Sequence, residues 1–220
     1  MPKLLRALIR MTGISTSVQE LLYAIIMALI FVYAARFGVL EFSGVGEFVL
    51  VQFGMLFTWG VIDGIIFYWL GVCDQRRYCR IISNEADMTK EQRIEALMDE
   101  FGATPLDVLT EEEERIVCER ILDRQIESEE YLRADRKAMA LSSLGCVIVS
   151  LLALIPIILP VLLIDDFQLA LVVISFLSSI ILFFVGCRMS KDLGTNRFLT
   201  GLFLMMMSLV IAIVSVFTGG

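Results

Sequence analysis

Five apolar runs dominate the chain, at roughly 17–38, 48–73, 139–164, 167–187 and 197–217, with the polar positions gathered between them. Each run is about 20 residues or longer, the length a helix needs to cross a hydrocarbon core about 30 Å thick. Little more than Asp165-Asp166 separates the third and fourth runs, so a tight helical hairpin is expected there. The pattern predicts an all-α fold: a polytopic membrane protein with five transmembrane helices and a cytoplasmic helical insert. The insert, residues 74–138, divides residues 1–73, with the first two spans, from residues 139–220, with the last three.

Inside the insert the pattern changes to amphipathic helices with capping signals. Thr89-Lys90-Glu91-Gln92 is a capping box that opens a helix running to about Phe101 and stopping at Gly102. Thr104-Pro105 begins a short helix with proline at its first position. Thr110-Glu111-Glu112-Glu113 is a second capping box, with acidic residues where the helix dipole favours them. From there a helix can run without a breaker through Ala138 into the third span. Before the first span, residues 1–12 place Leu4, Leu5, Leu8 and Ile9 on one helical face among basic residues. That fits a short helix in the membrane interface, or an ordinary basic flank, rather than a cleaved leader.

Composition agrees with the class: 58% of residues are hydrophobic and the mean hydropathy is +0.81. Of eighteen Lys and Arg, all but Arg36 fall on one side of the five-span plan. Basic residues mark the cytoplasmic side, so the N-terminus and the insert are expected inside and the C-terminal Gly219-Gly220 outside. The insert carries the acidic excess behind the net charge of −7. Nucleic acid is not an expected partner; the lipid bilayer is.

Absent residue types narrow the chemistry. The chain has no histidine, so imidazole metal sites, a Ser-His-Asp triad and a histidine proton relay are excluded. Its cysteines, Cys73, Cys79, Cys118, Cys146 and Cys187, form no even framework. They read as reduced passive thiols, with a soft-metal site joining Cys73, Cys79 and Cys118 as the alternative. No motif makes a case for an enzyme.

Carboxylates are the remaining candidates. Asp63 lies within the apolar run from Phe48 to Cys73, where a charge is expensive and usually functional. Gly60 and Gly64 flank it at a spacing that admits a close helix neighbour and offers a contact surface for a homodimer. The alternative is a protonated Asp63 acting as a structural hydrogen-bond partner between helices. In the insert, Glu91, Glu95 and Asp99 share one helix face, and Glu119, Asp123, Glu127 and Glu130 share another. Like charges at this spacing repel, and hard divalent cations offset such repulsion. Interleaved Arg93, Arg115, Arg120 and Arg124 offer the other explanation, solvated ion pairs. Pro156 and Pro160 are expected to break the third span twice, either as in helices that line ion sites or as plain kinks in a packed helix. Met205, Met206 and Met207 are either inward thioethers or lipid-facing filler.

The segment from Gly60 to Gly71, with Asp74-Gln75-Arg76-Arg77 after it, resembles the end of the second span in the vacuolar iron transporter family. Ala153 to Pro160, reading ALIPIILP, is similar to that family's third-span Leu-Ile-Pro-Leu-x-Pro signature. The resemblance implies a homodimeric, proton-coupled exporter of Fe²⁺ or Mn²⁺; apart from the resemblance, Zn²⁺ stands as an alternative metal. It also implies that glutamates of the insert gather metal, with Glu127-Ser128-Glu129-Glu130 nearest to the family's acidic run. Aligning Val18 to Leu22 with the family's first span puts Met27 where its pathway aspartate stands. Asp63 and Glu20 are then the carboxylates left for a membrane pathway. The function expected is divalent metal transport. The alternative is a non-transporting membrane protein whose acidic helices bind a protein partner or sense metal.

Overall fold

A computed structural model describes residues 13–83, 87–101, 108–123 and 128–218; the side chains of residues 14, 101 and 128–135 lie outside that description. The described residues form α1 (Ile14–Arg36), α2 (Val45–Ser83), α3 (Lys90–Phe101), α4 (Glu111–Asp123), α5 (Ser128–Leu152), α6 (Ile155–Leu163), α7 (Phe167–Leu193) and α8 (Arg197–Thr218). No strand occurs among them. Among the described residues, five stretches are long and apolar enough to cross a membrane: Ser15–Arg36, Val45–Ser83, Arg136–Leu163, Phe167–Leu193 and Arg197–Thr218. The chain is thus a membrane protein with five transmembrane helices, close to the runs expected from hydropathy. The expected interfacial helix over residues 1–12 and the short helix at Thr104 fall outside the described residues.

The chain divides into two compact units, residues 1–65 with 141–220, and residues 66–140. In the first, α1 is the central helix and packs against α7 and α8. Its face of Ala24, Ile25, Ala28, Leu29 and Val32 is almost wholly buried, with Phe48, Leu56, Ile157 and Ile174 around it. The small residues on that face let neighbouring backbones come close, as membrane helix packing requires.

Local chemistry explains where these helices end. Past α1, Gly38 takes a φ of 68°, its N–H bonds Ala35 O and the Val39 N–H bonds Ala34 O. That pairing is a Schellman stop, which needs the left-handed glycine. Asp166 caps α7 by accepting from the N–H groups of Gln168 (2.9 Å) and Leu169 (3.2 Å). Asn196 does the same for α8 through Phe198 (3.0 Å) and Leu199 (3.2 Å). Gly186 on α7 faces Gly201 on α8 so closely that a Cβ on Gly186 would stand 2.8 Å from Gly201 Cα.

The third span breaks once rather than twice. Its two helices meet at Ala153-Leu154, just before Pro156, which has no N–H to give Leu152 O. The Leu154 N–H turns back to Leu151 O at 3.1 Å, and α6 then starts with Pro156 in its first turn. Pro160 stays inside α6, where it gives no N–H to Pro156 O. The helix expected to run from Thr110 into this span is described as α4 and α5, with residues 124–127 outside the described set.

The second unit holds the polar end of α2 with α3 and α4. Ile81, Ile94, Leu97 and Cys118 form its small core. Both capping boxes are made. Thr89 N–H bonds Gln92 Oε1 (3.0 Å) with the return bond from the Gln92 N–H to Thr89 Oγ1 (3.3 Å). Thr110 and Glu113 pair likewise, at 2.9 and 3.4 Å. The Arg93 guanidinium caps the C-terminal carbonyls of α2 by donating to Ile81 O (2.7 Å) and Ile82 O.

Candidate functional site

Glu20 projects from α1 into the bundle and is only 1% exposed. The Ser150 hydroxyl on α5, itself buried, donates to Glu20 Oε2 at 2.9 Å. The half-buried Asp63 carboxyl, on α2, lies within hydrogen-bonding and coulombic reach of Glu20. Glu20 Oε1 is buried with no donor to it. Cys146, one turn before Ser150 on α5 and fully buried, stands within electrostatic range of both carboxyls. Two carboxyl groups this close satisfy each other only when a proton or a cation sits between them. That is the chemistry the site can do.

Glycine makes the arrangement possible. A Cβ on Gly60 would meet Ser150 Cβ at 3.0 Å and Val147 Cα at 3.1 Å; one on Gly64 would meet Ser143 O at 2.9 Å. The neighbour admitted by this glycine pair is therefore α5 of the same chain. The surface that the spacing offered to a second copy is already occupied.

Met27 lines a shallow apolar groove with Gly54, Met55, Thr58 and Trp59, a lining that includes neither Glu20 nor Asp63. On α8, Met206 and Met207 are exposed, which suits lipid-facing filler.

Several carboxylates of the insert have cationic partners. Arg115 Nη2 reaches Glu91 Oε1 at 2.7 Å, and its Nε lies 3.9 Å from Glu119. Lys90 Nζ pairs with Asp123 at 3.2 Å, while Arg77 pairs with Glu100. The exposed pairs among these, made by Arg115 and Lys90, contribute about 0–1 kcal/mol each. Glu95 and Asp99 are exposed on α3. Glu127 falls outside the described residues, and Glu130 lies on α5 with its side chain outside them. Among the described residues, no three His, Cys, Asp or Glu side chains gather as a metal site. Cys118 is buried, and that burial, with Glu114 nearby, pushes its thiol above the usual range. Such a thiol is a poor ligand near neutral pH.

Hydropathy and motif reading passed over Gln52, which is fully buried on α2. Its Nε2 donates to Ala28 O at 3.1 Å, while its Oε1 has no donor. The signal was available, since Gln52 is an uncharged polar residue in the same apolar run as Asp63. No protein-family model, curated protein or solved structure matches the chain.

Proposed function

We propose that the protein is a divalent metal transporter, moving Fe²⁺ or Mn²⁺ across the membrane in exchange for protons at a site built on Glu20 and Asp63. The observation that carries this reading is the Glu20 carboxylate, buried among five membrane-long helices with one oxygen undonated and a second carboxyl beside it. Ionisable groups at membrane depth are costly and persist where they handle ions or protons. Oxygen donors from two carboxylates and a hydroxyl suit a divalent cation, and a shared proton is the natural competitor for the same place. The resemblance to vacuolar iron transporters in the second and third spans points the same way. By the distribution of Lys and Arg, the N-terminus and insert face the cytoplasm, so transport runs outward from there. Glu91, Glu95, Asp99, Glu119, Asp123, Glu127 and Glu130 would concentrate the cation before it enters, and a homodimer is the expected assembly.

The test uses proteoliposomes holding both a metal-quenched dye and a pH dye. Wild-type protein is expected to carry Mn²⁺ or Fe²⁺ one way and protons the other. Metal flux without proton movement removes the coupling, and no flux of either removes transport.

One observation favours a second reading, a non-transporting protein whose insert binds a partner. The described carboxylates of α3 and α4 are spread among Arg115, Lys90 and solvent instead of converging. Titration calorimetry of the whole protein with Mn²⁺ separates the two, since only the transporter needs metal affinity.

A further inference from the structure

Gln52 shares with Glu20 an unusual condition, a wholly buried polar side chain with an oxygen that no group satisfies. Its amide N–H₂ is used to hold α1 through Ala28 O at 3.1 Å. The oxygen is the part left over. Inside a membrane bundle such an oxygen is costly to keep, and water cannot repair it as at a surface.

Its position is as informative as its isolation. Ala28 lies eight residues beyond Glu20 on α1, about 12 Å further along the helix, and Gln52 lies eleven residues before Asp63 on α2, about 16 Å away. The two helices run in opposite directions, so both contacts belong to one seam. Glu20 stands five residues into the span that starts at Ser15, and Gln52 seven residues into α2, placing them about 8 and 10 Å from opposite ends. Between the two levels lie Ala24 and Leu56, both buried. On the α5–α6 side, the chain breaks at Ala153-Leu154, between Ser150 at the carboxylate level and Ile157 beyond it. The break frees Leu152 O from a helical donor within that interval.

We infer that Gln52 Oε1 is a second station for the divalent cation, nearer the end of the membrane away from the carboxylate pair. This inference rests on the transport reading and extends it. The two stations differ in chemistry. An amide oxygen is a hard donor to a metal ion but takes up no proton near neutral pH, whereas the carboxylates can exchange one for the other. Cation and proton therefore separate at Gln52: the metal continues past it, and the proton does not.

The test is Mn²⁺ flux in proteoliposomes for wild type, Asp63→Asn, Gln52→Met and Gln52→Glu, all as full chains matched for protein content and monodispersity. Gln52→Met keeps the shape and removes the oxygen together with the N–H₂ donor to Ala28 O, a loss that Gln52→Glu shares; flux is expected to fall about tenfold or more, the scale of one lost bond to a charged group. Gln52→Glu restores an oxygen donor and is expected to recover flux to within about threefold of wild type, a difference under 1 kcal/mol. Gln52→Met at the wild-type rate, or Gln52→Glu as inactive as Gln52→Met, overturns the second station while wild-type flux and its loss in Asp63→Asn still uphold transport. A wild type that moves no Mn²⁺ overturns both.

Discussion

Gly60 approaches Ser150 so closely that a Cβ added to the glycine would stand 3.0 Å from the serine Cβ. This contact sets α2 against α5 and brings the Ser150 hydroxyl within 2.9 Å of Glu20. A backbone approach thereby becomes an electrostatic site. Gly64→Ala, whose new methyl would meet Ser143 O at 2.9 Å, is expected to destabilise the bundle by about 1–3 kcal/mol through overpacking. Gly54 has nothing within 4 Å of its Cβ position, so Gly54→Ala is expected to be neutral or to stabilise by up to about 1 kcal/mol. Thermal unfolding of both variants in detergent checks the contrast.

Ser150→Ala leaves Glu20 Oε2 without its donor. A loss of about 1.5–3 kcal/mol is expected, the usual scale for a bond to a charged group. Glu20→Gln keeps the shape and an acceptor for Ser150 while removing a buried charge. It is expected to match or exceed wild-type stability in the same unfolding assay, although it removes the proposed ion site.

Arg115 competes with any cation for Glu91 and Glu119. If these carboxylates gather metal, Arg115→Ala frees them, and Mn²⁺ affinity by calorimetry is expected to rise about two- to fivefold, the scale of an exposed pair. Unchanged affinity would remove α3 and α4 from the capture step.

The Thr110 backbone N–H and hydroxyl hold the Glu113 carboxyl below its ordinary range. A carboxyl held low in the folded chain adds stability above the ordinary carboxylate range, and that contribution is lost as pH falls through the lowered value. In Thr110→Ala the Glu113 titration, followed by carboxyl NMR, is expected to move upward, and the first turn of α4 to fray.

Much of this architecture is legible in the sequence because hydropathy and capping are local. The five spans, both capping boxes and the suspicion attached to Asp63 follow from residues within a turn or a run of each other. The site is less legible because its geometry is tertiary. Nothing near Glu20 in the chain announces Ser150, which is 130 residues away and reaches it only because Gly60 and Gly64 admit α5. The same glycine spacing suggested an interface with a second copy, and the chain's own helix uses it instead. Gln52 escapes a search for charges because an amide raises no alarm in an apolar run; its significance lies in an unmatched oxygen that only the fold reveals. The acidic faces of the insert were visible at once, but the role of Arg115 in joining Glu91 to Glu119 depends on how α3 and α4 pack.

If buried Glu20 and half-buried Asp63 carry the cation together, Mn²⁺ flux into proteoliposomes must differ between wild type and Asp63→Asn assayed side by side. Asparagine preserves volume and hydrogen bonding but cannot ionise, so flux is expected to fall by about two orders of magnitude or more, as when a paired charge worth about 3 kcal/mol is removed, with folding intact. An Asp63→Asn protein that transports Mn²⁺ at the wild-type rate would rule out this role for the Glu20–Asp63 pair.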